Sequence, residues 1–339
     1  MLKQRYSFLF ILIFFTLSNI FGQDPHYSQF YANLLYLNPA FSGTANCPRF
    51  SLNFRDQWPS IPGNFISFSS SYDQYIPIIH GGVGVLASAD MAGGNILQTY
   101  NIGGMYNYRV QVSRNFNLQF ALQGSYLMRS FNWHNLQTAS QILNSDIPIS
   151  ELPQEGISRL SRFDAAFGVM GYTSFLYFGM AIHHIVPLDL RYLPRSDGKF
   201  ITPWKPRWTA HIGGKITIKK TLRDENSFGD IFLYPNLIFI SQENFHYMHE
   251  GFYFNFYPFT VGAWLRHDFK SLDAFVISCG VEYKSLRIGY SYDFSLTELE
   301  RTGGAHEISL QFIIPCDPDQ VKNNKQKRKR YAPLSCPYF

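Results

Sequence analysis

From about residue 48 the chain repeats one pattern, apolar and polar residues taking turns along short segments that end in turn residues. Phe50, Leu52 and Phe54 alternate with Ser51, Asn53 and Arg55, and Tyr106, Tyr108 and Val110 with Asn107 and Arg109. Further on, Phe275, Ile277, Cys279 and Val281 run against Ser278 and Glu282, and Ile308, Leu310 and Phe312 against Glu307, Ser309 and Gln311. Successive side chains on a strand point to opposite faces, so each segment has one greasy face and one polar face. In a sandwich the greasy face turns inward; in a membrane barrel it meets lipid, and the polar face lines the lumen.

The start of the chain bears on that choice. Lys3 and Arg5 precede the uninterrupted apolar run Phe8–Phe15, and a small residue, Gly22, stands before Gln23. That order predicts a secretory signal peptide over 1–22, too short and wrongly flanked for a spanning helix. No later segment offers the roughly 18 consecutive apolar residues that a transmembrane helix needs. An exported chain that enters a membrane without such a helix must do so as a closed barrel, because only helices and barrels satisfy every backbone group in lipid. Aromatics reach 17% and charged residues only 16%, below the roughly 25% charge of soluble domains.

Strands are expected near 49–56, 64–74, 82–89, 95–110, 115–129, 162–172, 174–184, 207–219, 231–241, 244–256, 259–267, 273–283, 285–294 and 305–314. These make an all-β, antiparallel up-and-down transmembrane barrel of 14 strands over 48–315. The long connections, Ser130–Ser161 and Ile185–Arg207 among them, fall on alternate sides from a mostly tight set at Gln111–Arg114, Gly171–Thr173, Tyr257–Pro258 and Lys284–Ser285, where only Lys220–Asp230 and the Pro77 turn are longer. Long loops outside and short turns in the periplasm are the outer-membrane arrangement.

The net charge of +5 arises outside the barrel. Lys3 and Arg5 leave with the leader, and six cations crowd the tail 316–339, so acids and bases balance in between and no nucleic-acid surface is indicated. The tail reads as a solvated periplasmic extension, or as a docking element for an acidic partner.

The segment 23–47 does not alternate. It carries Tyr27, Phe30, Tyr31, Leu34, Leu35, Tyr36, Leu37 and Phe41, broken by Asn38-Pro39 and Ser42-Gly43. Two placements suit it: a plug folded back into the barrel mouth, or packing in the periplasm. The run Asp24-Pro25-His26-Tyr27-Ser28-Gln29-Phe30-Tyr31-Ala32-Asn33, then Leu35-Tyr36-Leu37-Asn38-Pro39-Ala40-Phe41-Ser42-Gly43, resembles the opening of the PorP/SprF family of type IX secretion membrane proteins. Arg55-Asp56-Gln57-Trp58-Pro59, Ser71-Tyr72-Asp73 and His80-Gly81-Gly82-Val83-Gly84 extend the likeness, and Gly304-Ala305-His306-Glu307 continues it more loosely. The resemblance implies an outer-membrane barrel of the type IX export and gliding apparatus, in contact with lipid and with other secretion components. It implies either a place in the core machine or service to one large secreted adhesin. On this basis Asp24, Pro25, His26, Tyr27, Ser28, Gln29, Phe30, Tyr31, Asn38, Pro39, Arg55, Asp56 and Trp58 are the candidates for partner binding.

Chemistry-bearing clusters are few. Cys47 precedes the first strand and Cys316 follows the last; those strands are neighbours in a closed barrel. Two readings suit Cys47, Cys316 and Cys336: a disulfide by one of their three pairings, of which Cys47–Cys316 would staple the seam, or free thiols. Cys279 is in phase with the lipid face. His183-His184 and His246, His249, Glu250 lack metal-ligand spacing, the Gly-rich pieces lack a phosphate-loop context, and no nucleophile elbow is present, so neither cofactor, metal nor catalytic residues are expected. A porin or hydrophobic-solute channel is the rival reading, and a rim-sited outer-membrane enzyme the remoter one.

Overall fold

A computed structural model describes residues 24–45, 47–132, 159–187, 204–220, 230–297 and 302–316. The expected signal peptide, the basic tail with Cys336 and Phe339, and the inner parts of the two longest connections lie outside them.

The strands are β1 (Arg49–Gln57), β2 (Phe65–Ile76), β3 (Gly81–Ala92), β4 (Leu97–Ser113), β5 (Phe116–Phe131), β6 (Arg159–Tyr172), β7 (Leu176–His183), β8 (Arg207–Gly214), β9 (Ile216–Lys219), β10 (Ile231–Gln242), β11 (Phe245–Phe256), β12 (Phe259–His267), β13 (Leu272–Tyr283), β14 (Leu286–Ser295) and β15 (Ala305–Ile313). Each pairs antiparallel with its neighbours, β10 with β11 and β15 with β1, so the sheet closes. Fourteen strands make the wall. The fifteenth, β9, continues β8 past Lys215 and pairs with the same edge of β10, where the sequence suggested one strand over 207–219. The seam pairs Arg49 with Ile313 through to Gln57 with Ala305.

The wall is apolar outside. Phe50, Phe54, Phe68, Tyr72, Ile102, Leu122, Met180, Ile212 and Ile277 are exposed, while Arg49, Ser51, Asn53, Arg55, Ser69, Gln119 and Glu307 are buried. That inversion suits lipid, since a soluble protein rarely shows apolar patches beyond a few hundred Å². Cys279 is exposed on this outer face.

One arc of the lumen departs from the expected polar lining. Met170, Tyr172, Tyr177, Phe232, Tyr234, Ile238, Tyr253 and Trp264 face inward and are buried. They need an apolar partner inside the barrel, and the N-terminal segment supplies it. Residues 24–45 lie in the lumen, with the short helix α1 (Leu34–Leu37) and a 3-10 turn at Pro39–Phe41. Leu35 and Phe41 are 1% and 0% exposed, each such burial being worth about 1.5–3 kcal/mol. Cys47 and Cys316 are joined in a disulfide with Cα atoms 5.6 Å apart, at the rim where β1 begins and β15 ends.

Candidate functional site: the lumen segment and the outward cup

The rim where β1 begins also carries the short turns at 77–80, 114–115, 173–175, 257–258 and 284–285; the opposite rim carries the connections 132–158 and 184–206. By the outer-membrane pattern the second rim faces outward. Four sets of contacts hold the N-terminal segment between the rims.

At the inner rim Arg49 grips Asp73 with two bonds of 2.8 and 3.0 Å, and Asp73 also accepts the Gly43 N–H at 2.7 Å. Asn107 donates to the Ala40 and Ser42 carbonyls, and Arg109 to that of Gly43 at 2.7 Å. Gly43 has φ +72, and a Cβ there would stand 2.7 Å from the Gly82 Cα. Both glycines are needed for this approach of backbone to backbone.

In the middle the Asn38 side chain caps the 3-10 turn by accepting from the Ala40 N–H at 2.9 Å, and donates to the carbonyls of Val169 and Met180. It also meets His211 Nε2 at 3.0 Å. Gly168 makes the room, since a Cβ there would fall 2.1 Å from the Asn38 Oδ1. Phe30 and Tyr31 pack edge-on against Trp264 and Tyr253, at 4.8 and 4.2 Å between centroids.

Nearer the outer rim a charged cluster takes hold. Glu307, paired with Arg55 across the seam, accepts the backbone N–H groups of Ser28 and Gln29 at 2.7 and 3.0 Å and Arg55 Nη1 at 3.1 Å. Asp293 accepts from Ser28 Oγ at 2.7 Å, from Arg55 at 2.8 Å and from Arg266 at 2.9 Å. Gln29 donates to Ser291 and to the Glu307 carbonyl.

At the top, Asp24 lies 3.0 Å from Arg207 and 2.9 Å from His184 Nε2, whose Nδ1 is 2.7 Å from Asp164. Burial by itself would raise the Asp24 carboxyl, but His184 and Arg207 hold it well below the usual range. Burial likewise opposes charge on His184, yet Asp24 and Asp164 bring its imidazolium up to about 9. His183 and His184 both point inward, because φ +58 at His184 ends the strand alternation; His183 reaches the Leu37 carbonyl. His249 is buried against His26 at 4.6 Å, whereas His246 is exposed and bonded to Ser241.

Above this floor the barrel opens into a cup of about 600 Å³, floored by Asp24, Pro25 and His26. Its walls include Trp58, Asp90, Arg129, Trp204, Arg207 and Tyr247. Arg129 lies over the Trp204 ring at 4.7 Å and Arg207 over that of Tyr36 at 4.4 Å.

The structure therefore separates the sequence candidates. Tyr27, Ser28, Gln29, Phe30, Tyr31, Asn38, Pro39 and Arg55 are buried against the barrel's own wall. Their bonding groups face the lumen. Asp24, Pro25, His26 and Trp58 reach the cup, as does Arg55 from the wall, and Asp56 accepts from Asn64 at 2.7 Å near the rim. Sequence reasoning passed over Asp73, Asn107, Gly168, His184 and Arg266 as partners of the segment. Only the inward phase of some of them was visible beforehand.

A family model described as type IX secretion system membrane protein PorP/SprF matches residues 19–312. The chain belongs to the PorP/SprF family. It is thus an outer-membrane barrel of type IX secretion, and the lumen segment with the inner-rim glycines is what its distinctive N-terminal motifs build. No curated protein sequence matches this PorP/SprF chain. Among solved structures it is similar to the toluene transporter TbuX of Ralstonia pickettii, at TM-score 0.47 and 9% identity over 83% of this chain and 93% of that one. A FadL homologue of Pseudomonas aeruginosa gives TM-score 0.37 and 12% identity over 78% and 90%. The KdgM porin gives 0.34 and 6% over 78% and 99%.

Proposed function

We propose that this barrel serves type IX secretion as a closed, non-enzymatic, partner-binding component. Its outward cup and the long connections around it receive a secreted protein, and its inner rim and basic tail meet other secretion components. The observation that carries this reading is the lumen segment, bonded to the seam strands on one side and to β4, β6, β7 and β8 on the other. A passage so filled suits holding a partner better than conducting a solute, which weighs against the porin reading. A large adhesin, attached or helped outward, is the partner that the family favours.

The test is affinity purification of the tagged protein from outer membranes, wild type beside Trp58→Ala with Trp204→Ala. The expected result is that a secreted protein and secretion components come with the wild type and that the secreted protein is depleted with the cup variant. Recovery of the same proteins with both would remove the cup from the account.

A further inference from the structure

The lumen segment has a direction, and the direction carries a requirement. At the outward end the Asp24 backbone N–H donates to Gln242, at the close of β10, at 3.1 Å, and its carboxylate meets His184 and Arg207 where β7 ends and β8 begins. At the inner end Gly43 rests on Asp73 of β2 and Gly82 of β3. Between them the chain descends by way of Glu307, then Asn53, then Gly168. Whatever is joined to the N-terminal side of Asp24 is therefore attached at the outward face, while β1 starts from the inward one.

We infer that the protein carries its own mature N-terminus to the outward face through its lumen, and that the leader must be removed before the segment can seat. The leader is hydrolysed at the Gly22–Gln23 peptide bond by a signal endopeptidase with consumption of one water, leaving a carboxylate on Gly22 and an amine on Gln23. A chain still held by Phe8–Phe15 in the inner membrane is tethered on the wrong side for Asp24 to reach His184. Carrying the leader through would expose that eight-residue apolar run to outside water, which the hydrophobic effect opposes. Processing thus acts as the event that permits closure of the lumen. The inference rests on the leader reading and on the outward sense of the long-loop rim, and is independent of what the cup binds.

The experiment uses the full chain with Cys279→Ser and Cys336→Ser, leaving the Cys47–Cys316 bridge intact, and with one cysteine inserted between Gln23 and Asp24. Intact cells are treated with a membrane-impermeant maleimide. The inserted cysteine is expected to label on intact cells, and Asn115→Cys, in the short β4–β5 turn, only after the outer membrane is opened. Labelling of the inserted cysteine only after opening, or labelling of Asn115→Cys first, overturns the direction. In a second arm Gln23→Pro blocks cleavage, and outside labelling of the uncleaved chain recovered from membranes is expected to fall at least tenfold. Equal labelling of cleaved and uncleaved chains overturns the need for processing.

Discussion

Glu307→Gln tests how the lumen segment is held. Glu307 is 0% exposed, and its carboxylate takes the Ser28 and Gln29 N–H groups and one Arg55 nitrogen. Glutamine preserves the shape but offers one acceptor oxygen; turned to keep the Ser28 and Arg55 donors, which share one carboxylate oxygen, it sets its amide nitrogen against the Gln29 N–H. One bond to a charged acceptor is lost, worth about 1.5–3 kcal/mol against the seated segment. At about 1.4 kcal/mol for each factor of ten, the unseated fraction rises roughly 10–100-fold. The wall itself should survive, because Arg55 keeps Asp293 at 2.8 Å and the seam keeps its ladder. Limited chymotrypsin digestion of the protein in detergent reads the unseated fraction through cuts at Tyr27, Phe30 and Tyr31. The cutting rate should rise by about ten- to a hundredfold while heat-modifiable mobility of the barrel on a gel is retained. An unchanged cutting rate, with the barrel intact, would refute the reasoning that these bonds seat the segment.

Gly43→Ala forces a side chain into φ +72 and to 2.7 Å from Gly82. It should cost about 1–3 kcal/mol, visible as a lower urea midpoint in detergent. Cys47→Ser should leave the barrel able to assemble yet lower its stability by about 2–4 kcal/mol, read from the same midpoint, and it should abolish the mobility shift that reductant causes in the wild type. The His184 imidazolium, raised to about 9 from 6.5, stabilises the seated Asp24 fully below about pH 6.5, and the contribution is lost as pH rises through about 9. The protection of the amides around residues 24–27, taken relative to their intrinsic base-catalysed exchange, should therefore fall between pH 7 and 10, by a free energy of up to about 3 kcal/mol. His184→Gln should remove that pH dependence, and a wild-type profile flat across the range would count against the Asp24–His184–Asp164 contact.

The wall was legible because one physical rule writes it. Strand period and the lipid-facing phase of residues such as Phe50, Phe54 and Ile277 follow from local sequence, as does the sorting of long and short connections. The ends moved by a few residues, and β8 and β9 separated at Lys215, which periodicity alone does not mark. The placement of residues 24–45 was not legible, because an aromatic, non-alternating segment finds cover equally well in a lumen or under a rim. What decides it is complementarity across long sequence separations: Asn38 into the space of Gly168, Gly43 against Gly82, and the Ser28 and Gln29 amides onto Glu307. None of these pairs shares a strand or a turn. The inward aromatics Tyr177, Tyr234, Tyr253 and Trp264 were a usable hint, since a water-filled lumen has no use for them. The same fit explains why the motif residues proved to be internal. Their string of Tyr, Asn-Pro and Gly types is matched to this barrel's interior, so that motif alone could not tell an internal partner from an external one.

The central claim is that the lumen is closed by the chain's own N-terminal segment. Current through single barrels in planar lipid bilayers tests it most directly, comparing the wild type with a chain lacking residues 24–45. The account predicts a silent wild type and steady, ohmic steps from the deletion. Steady steps of equal size from both would contradict it.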